Sequence, residues 1–125
     1  MSGELENCVV IVDDEFLITA GLAMQLEEMG IMVCGTAATA DDAVALAQAA
    51  RPALVLMDVR LGGDKDGVDA ALAIHETVGS KVIFITGSRE AATMARISQD
   101  HPTDVLFKPV RDWQLRQAIE AALAT

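Results

Sequence analysis

The sequence predicts a parallel α/β sheet with helices on both faces, and three observations carry that reading. Short apolar runs recur five times. They are bulky or β-branched rather than alternating with polar residues, and segments of helical spacing separate them. Strands apolar on both sides belong to parallel sheets that are covered on both faces. Five βα units of this length build such a sheet through right-handed crossovers.

The first run, Cys8 to Val12, precedes a helix marked by Ile18, Leu22, Leu26 and Met29 and closed by Gly30. The second, Ile31 to Cys34, leads into the Ala-rich stretch Ala40 to Ala50, which Pro52 follows. After the third, Ala53 to Met57, Gly67 precedes a helix that ends at Gly79. The fourth, Lys81 to Ile85, leads to a helix ending before Pro102. The fifth, Asp104 to Phe107, is followed by a last helix through Leu115, Ile119, Ala122 and Leu123. These punctuating glycines and prolines sit where helices stop. The 125 residues are the size of one domain and contain no linker or repeat, so one domain, 1–125, with no output domain is expected.

Charge and composition exclude several classes. The net charge is −10 with nine Lys and Arg, which disfavours a surface for nucleic-acid phosphates. Hydrophobic residues make up 52% of the chain, yet no apolar run is long enough to span a bilayer. Met1 to Asn7 carry Glu4 and Glu6 and no basic cluster, unlike a secretory or transit signal, and a cytoplasmic location is expected. Cys8 and Cys34 lack zinc-site spacing and are read as buried free thiols. His75 and His101 have no paired ligands in the sequence and are read as surface residues. Trp113 is either partly packed or part of a partner surface.

The chemistry lies immediately after the strands. Asp13, Asp14 and Glu15 follow the first, Asp58 the third, Thr86 the fourth, and Lys108-Pro109 the fifth. Open α/β sheets bind ligands at the carboxyl ends of their strands, so these stations converge on one edge. Two carboxylates ~4 Å apart repel by about 4 kcal/mol at an effective dielectric near 20. Grouping Asp13, Asp14 and Asp58 therefore calls for a hard divalent cation, and oxygen ligation that keeps several waters suits Mg2+. Lys108 adds a fixed positive charge and Thr86 a hydroxyl donor for the other oxygens of a phosphoryl group carried by Asp58. Taken singly, Asp13-Asp14 reads as a turn or helix cap, Thr86 as a strand end and Lys108-Pro109 as a loop opening. Their conjunction at four strand ends is what points to phosphoryl chemistry.

The order of DD, D, T and KP resembles the receiver domains of two-component response regulators, over essentially the whole chain. The resemblance implies a flavodoxin-like, CheY-like fold with strand order 2-1-3-4-5. It implies Asp58 as phosphoacceptor, with Thr86 and Lys108 assisting. Asp13, Asp14 and Asp58 would be Mg2+ ligands, together with the backbone carbonyl of Arg60. A histidine kinase or phosphotransfer protein would be the phosphodonor, with an unidentified downstream protein as the reader. Gly62 stands where receivers usually carry Pro, and Gly67 lies nine residues after Asp58 rather than eight, which lengthens the loop Leu61 to Asp66. Val105 replaces the switch aromatic, and Phe84-Ile85-Thr86-Gly87-Ser88 partly resembles the alphaproteobacterial "FAT GUY" variant. Ile85 and Arg89 depart from that variant, where it has Ala and Tyr.

The loop acids Asp64, Asp66 and Asp69 lack EF-hand order and are read as a solvated loop. A phosphohydrolase of the haloacid dehalogenase type would place its nucleophile in a DxD motif after the first strand, which this chain lacks. A receiver-like module that binds without phosphorylation would not need the full residue set present here. With valine at 105, the segment Gly87 to Ser98 is expected to be the bistable element.

Overall fold

The computed structural model describes residues 4–124, so Met1 to Gly3 and Thr125 lie outside the described residues. In chain order the elements are β1 (Glu6–Val12), α1 (Phe16–Glu28), β2 (Met32–Ala37), α2 (Ala40–Ala50), β3 (Pro52–Asp58), α3 (Gly67–Thr77), β4 (Lys81–Thr86), α4 (Ala91–Ser98), β5 (Asp104–Phe107) and α5 (Asp112–Leu123). All strand pairs are parallel and the sheet order is β2-β1-β3-β4-β5. Both the fold class and the strand order expected from the sequence are thus observed.

Side-chain alternation along the three central strands explains the two-sided cover. Val10, Val12, Val55, Met57, Val82 and Phe84 face one cluster with Ala43 and Ala47 of α2, Val68 and Ile74 of α3, and Ile97 of α4. Val9, Ile11, Leu54, Leu56, Ile83 and Ile85 face another, with Leu26 of α1 and Leu115 and Ile119 of α5. Every residue from Val9 to Val12 and from Leu54 to Met57 is at most 2% exposed. The chain can therefore become polar and reachable only where these strands end.

Small residues let helices lie close to the sheet. A side chain on Gly35 would begin 3.1 Å from Leu46 of α2. Gly30 and Gly79, with φ of 77° and 86°, take the left-handed conformation that ends α1 and α3. Thr39 caps α2 by accepting a hydrogen bond from Asp42 N at 3.2 Å.

Three sequence readings change here. Strand β2 runs on to Ala37 instead of ending at Cys34, because it is a half-exposed edge strand whose later residues, Gly35 to Ala37, do not form an apolar run. Cys8 and Cys34 are joined as a disulfide instead of standing as free thiols. The register of β1 on β2 shifts between Val9 and Val10, so Cys34 is the extra residue between Val33 and Gly35, and its Cα lies 5.6 Å from that of Cys8. His75 is not a lone surface residue, since its Nδ1 lies 2.8 Å from Oδ1 of the buried Asp100. Burial raises the Asp100 pKa, and the charges of His75 and His101 oppose that shift. His101 is exposed, as expected, and Trp113 is 61% exposed at the start of α5, which places it on the surface.

The disulfide closes a sequence separation of 26 residues. A loop of that size restricts the unfolded chain enough to add roughly 3 kcal/mol to stability. Maleimide labelling in denaturant without reductant should therefore find no thiol, and urea unfolding of a Cys34→Ser variant should be weaker by about that amount. Two labelled thiols would contradict the pairing.

Candidate functional site at the strand ends

The site is assembled by strands that stop together. β1 ends at Val12, and Asp13, only 4% exposed, follows at the sheet edge with its N–H donating to Ala37 O at 3.1 Å. The Asp13 carboxylate accepts from the Glu15 backbone N–H at 2.9 Å and from Lys108 Nζ at 3.1 Å. Helix α1 begins only at Phe16, and its N-cap, Glu15, makes no side-chain capping bond. The acidic pair therefore does not cap the helix, one of the two structural roles open to it in the sequence, while Asp13 fills the other, a turn, through its bond to the Glu15 N–H.

Asp58 is the last residue of β3 and is 8% exposed. Its Oδ2 lies 3.6 Å from Lys108 Nζ. Asp13, Asp14 and Asp58 each offer a carboxylate oxygen, and these oxygens lie within 4.8 Å of one another. Burial, the largest cause, pushes the Asp58 pKa up to about 6, with the charges of Asp13 and Asp14 adding to it and Lys108 and the Arg60 backbone N–H opposing it. Burial also works against the charge on Lys108, but Asp58 and Asp13 outweigh it and its pKa is raised.

Thr86 ends β4, 3% exposed, and its Oγ1 accepts from Ser88 N at 3.1 Å. Its carbonyl accepts from Lys108 N at 2.8 Å, which ties the ends of the fourth and fifth strands together, and the Lys108–Pro109 peptide is cis. An open cleft of ≈ 610 Å³ is lined by Asp14, Asp58, Arg60, Thr86, Ser88 and Lys108 among others. Of the site residues expected from the sequence, Asp14, Asp58, Arg60, Thr86 and Lys108 line this cleft, and Asp13 is joined to it through its bond from Lys108 Nζ. Arg60 is exposed in the cleft wall. Arg89, at the rim, stacks its guanidinium 3.8 Å from the centre of the Phe107 ring, a cation–π contact with no signal in the sequence.

The donor set is hard and anionic, and burial, with the neighbouring carboxylates adding to it, raises the Asp58 pKa, so these residues fit a small divalent cation such as Mg2+. The loop after Asp58 is built to keep this geometry. Gly67 N donates to Val59 O at 2.7 Å, and a side chain at Gly67 would begin 2.0 Å from the Asp58 carbonyl oxygen. Glycine at 67 is required by that contact. Asp66 and Asp69 are not free solvated acids, as the sequence reading had them. They form a reciprocal capping box on α3, with Asp69 N donating to Asp66 Oδ1 at 2.9 Å and Asp66 N to Asp69 Oδ2 at 3.0 Å.

A parallel sheet in this order, with an acidic cluster, a hydroxyl and an ammonium at its strand ends, defines the class of signal receiver domains. The chain belongs to the response regulator receiver family, whose domain model matches residues 9–120. It is 34% identical over 116 residues to the transcriptional regulatory protein PdtaR of Mycobacterium tuberculosis, covering 93% of this chain and 56% of that protein. It is 30% identical over 124 residues to the phyllosphere-induced regulator PhyR of Methylorubrum extorquens, covering 98% of this chain and 46% of that one. The chain thus spans about half the length of these curated relatives. Among solved structures, the receiver domain of a modulated diguanylate cyclase from Desulfovibrio desulfuricans superposes with a TM-score of 0.89 at 36% identity, covering 97% of this chain and 95% of that one. The receiver resemblance, with its likeness to the FAT GUY variant in the run Phe84 to Ser88, is retained.

The raised Asp58 pKa has a definite consequence for the metal-free protein. Its folded-state value, about 6, lies above the ordinary 3.8, so the folded state holds that proton more tightly. The resulting stabilisation is complete below pH 3.8 and is lost as pH rises through about 6. Denaturant unfolding in EDTA should show Asp58→Asn gaining stability relative to the parent across that interval. A difference independent of pH would contradict the assignment.

Proposed function

We propose that this protein is a phosphorylation-controlled binding module that acts as a cytoplasmic response regulator in a phosphorelay. The supporting observation is the convergence of Asp14, Asp58, Thr86 and Lys108 on one cleft, with Asp13 paired to Lys108 and grouped with the other two carboxylates. In this reading a carboxylate oxygen of Asp58 attacks the phosphorus of a phosphohistidine on a histidine kinase or phosphotransfer protein. The P–N bond breaks, an aspartyl phosphate forms, and the imidazole leaves and takes up a proton. Mg2+, held by Asp13, Asp14, Asp58 and the backbone carbonyl of Arg60, would neutralise charge on the phosphoryl oxygens.

The chain's own groups supply the rest. Lys108 already lies within 3.6 Å of Asp58 and would pair with a phosphoryl oxygen, and Thr86 would donate its hydroxyl to another. The exposed Phe16 and Leu17 at the start of α1, beside the acidic edge, offer apolar footing for the donor protein. No other chemistry than self-phosphorylation and self-dephosphorylation is assigned to the site. The readout is protein binding and not nucleic-acid binding, in keeping with the net charge of −10.

Phosphorylation adds roughly two negative charges. We place the responding element at Gly87 to Ser98, which contains the eight-residue α4 with Ile97 as its buried residue. This helix starts after a loop in which Ser88 bridges Thr86 and Thr93 through bonds of 3.1 Å each. Val105 packs against the core and is too short and stiff at χ1 to signal by swinging between two positions.

With acetyl phosphate and Mg2+, intact-mass analysis should find one added phosphoryl group on the parent and none on Asp58→Asn. Undiminished labelling of the variant would refute the reading. Hydrogen exchange with beryllofluoride should bring new protection to residues 87–98, and changes confined to α5 would overturn the choice of switch element.

A further inference from the structure

The site residues leave one charged cluster unexplained. Arg96, on α4, reaches across to the start of α3, where its Nε donates to Asp66 Oδ2 at 3.0 Å and one of its terminal nitrogens to Asp66 Oδ1, also at 3.0 Å. The same nitrogen donates to Asp69 Oδ1. This is a bidentate guanidinium–carboxylate fork, the geometry that gives direction as well as attraction. The three side chains are between 29% and 40% exposed, so the cluster is partly withdrawn from water. Its attraction alone is modest. Its position is what matters.

Asp66 immediately precedes Gly67, and Gly67 has no clearance. Its N–H is bonded to Val59 O, and its α-carbon lies so near the Asp58 carbonyl that a Cβ would begin 2.0 Å from that oxygen. A displacement of Asp66 must therefore move the backbone carbonyls of Asp58 and Val59, on which the orientation of the next carbonyl, that of Arg60, depends. On its other side the same loop is held by a Thr39–Gly62 bridge and by an exposed Lys65–Asp41 pair at 3.1 Å. Only the Arg96 contact joins the loop to α4 among the described residues' ion pairs.

We propose that Arg96 is a positioning residue for the cation site: through Asp66 and Gly67 it sets the backbone that carries Asp58 and the Arg60 carbonyl, so the placement of α4 and the affinity for Mg2+ depend on each other. The inference rests on the receiver reading above. Coupling of this kind is reciprocal, so a partner that displaces α4 weakens Mg2+ binding to the same degree that Mg2+ opposes the displacement.

Calorimetric titration of the full chain with Mg2+, well below its melting temperature, tests this. Arg96→Met keeps the length of the side chain and loses the fork; Asp66→Asn keeps a capping residue and loses the ion pair. Each should weaken Mg2+ binding about tenfold, at the low end of what loss of a partner behind a metal ligand costs. The double variant should be no weaker than either single one, because both remove the same link. Lys65→Met, which breaks the exposed pair on the other side of the loop, should stay within about twofold of the parent. Parent-like Mg2+ affinity in a folded Arg96→Met, additive losses in the double variant, or an equal loss in Lys65→Met would each overturn the proposal. If the parent itself neither binds Mg2+ nor accepts phosphate, the receiver reading falls together with this inference. If it does both and Arg96→Met matches it, only the role of Arg96 falls.

Discussion

Three carboxylates whose oxygens lie within 4.8 Å of one another, with a lysine ammonium touching two of them, form the constraint on which this structure turns. Like charges at that separation repel, and water cannot relieve the repulsion at Asp13 and Asp58, which are 4% and 8% exposed. A folded protein keeps such a group only if the scaffold is rigid enough to oppose the repulsion. The sheet supplies that rigidity, because its three central strands are covered on both faces and cannot move apart without exposing a core. Burial first, and the neighbouring carboxylates after it, raise the Asp58 pKa from the ordinary 3.8 to about 6.

The strand ends are also where that rigidity stops, which is why the chemistry and the switching segment adjoin. β4 is fully buried from Val82 through Thr86, whereas Gly87, Arg89 and Glu90 are exposed. The short α4 contributes Ile97 as its buried residue, in contrast to α3, which buries Gly67, Val68, Ala70, Ala71 and Ile74. Few buried apolar contacts mark the segments that open most readily. Polar links at both ends, Ser88 to Thr86 and Arg96 to Asp66, hold α4 against the site where apolar packing is thin.

Much of this was legible in the residues alone. Bulky strands without polar alternation announced a sheet covered on both faces, and polar residues at the ends of four of them located the site. Strand limits were less secure where burial was partial: β2, an exposed edge, ran three residues beyond its apolar stretch, while β5 matched its expected bounds. Asp66 and Asp69 looked like loop acids because the sequence does not display their partner, Arg96, some thirty residues later. Asp100, in the turn after α4, likewise gave no sign of its burial or of its contact with His75 on α3.

By itself the sequence determined the fold class, the number of βα units and the identity of the cluster Asp13, Asp14, Asp58, Thr86 and Lys108, because periodicity and strand-end position are local properties of a chain. Tertiary structure alone decided which distant residues meet. The bulge at Cys34 brought it beside Cys8 on the neighbouring strand, and the packing of α4 next to α3 brought Arg96 to Asp66. The packing of the start of α3 against the end of β3 left Gly67 with no room for a side chain over the Asp58 carbonyl. Such contacts depend on register and on how helices settle on a sheet, and these are set by the whole core at once rather than by any stretch of sequence.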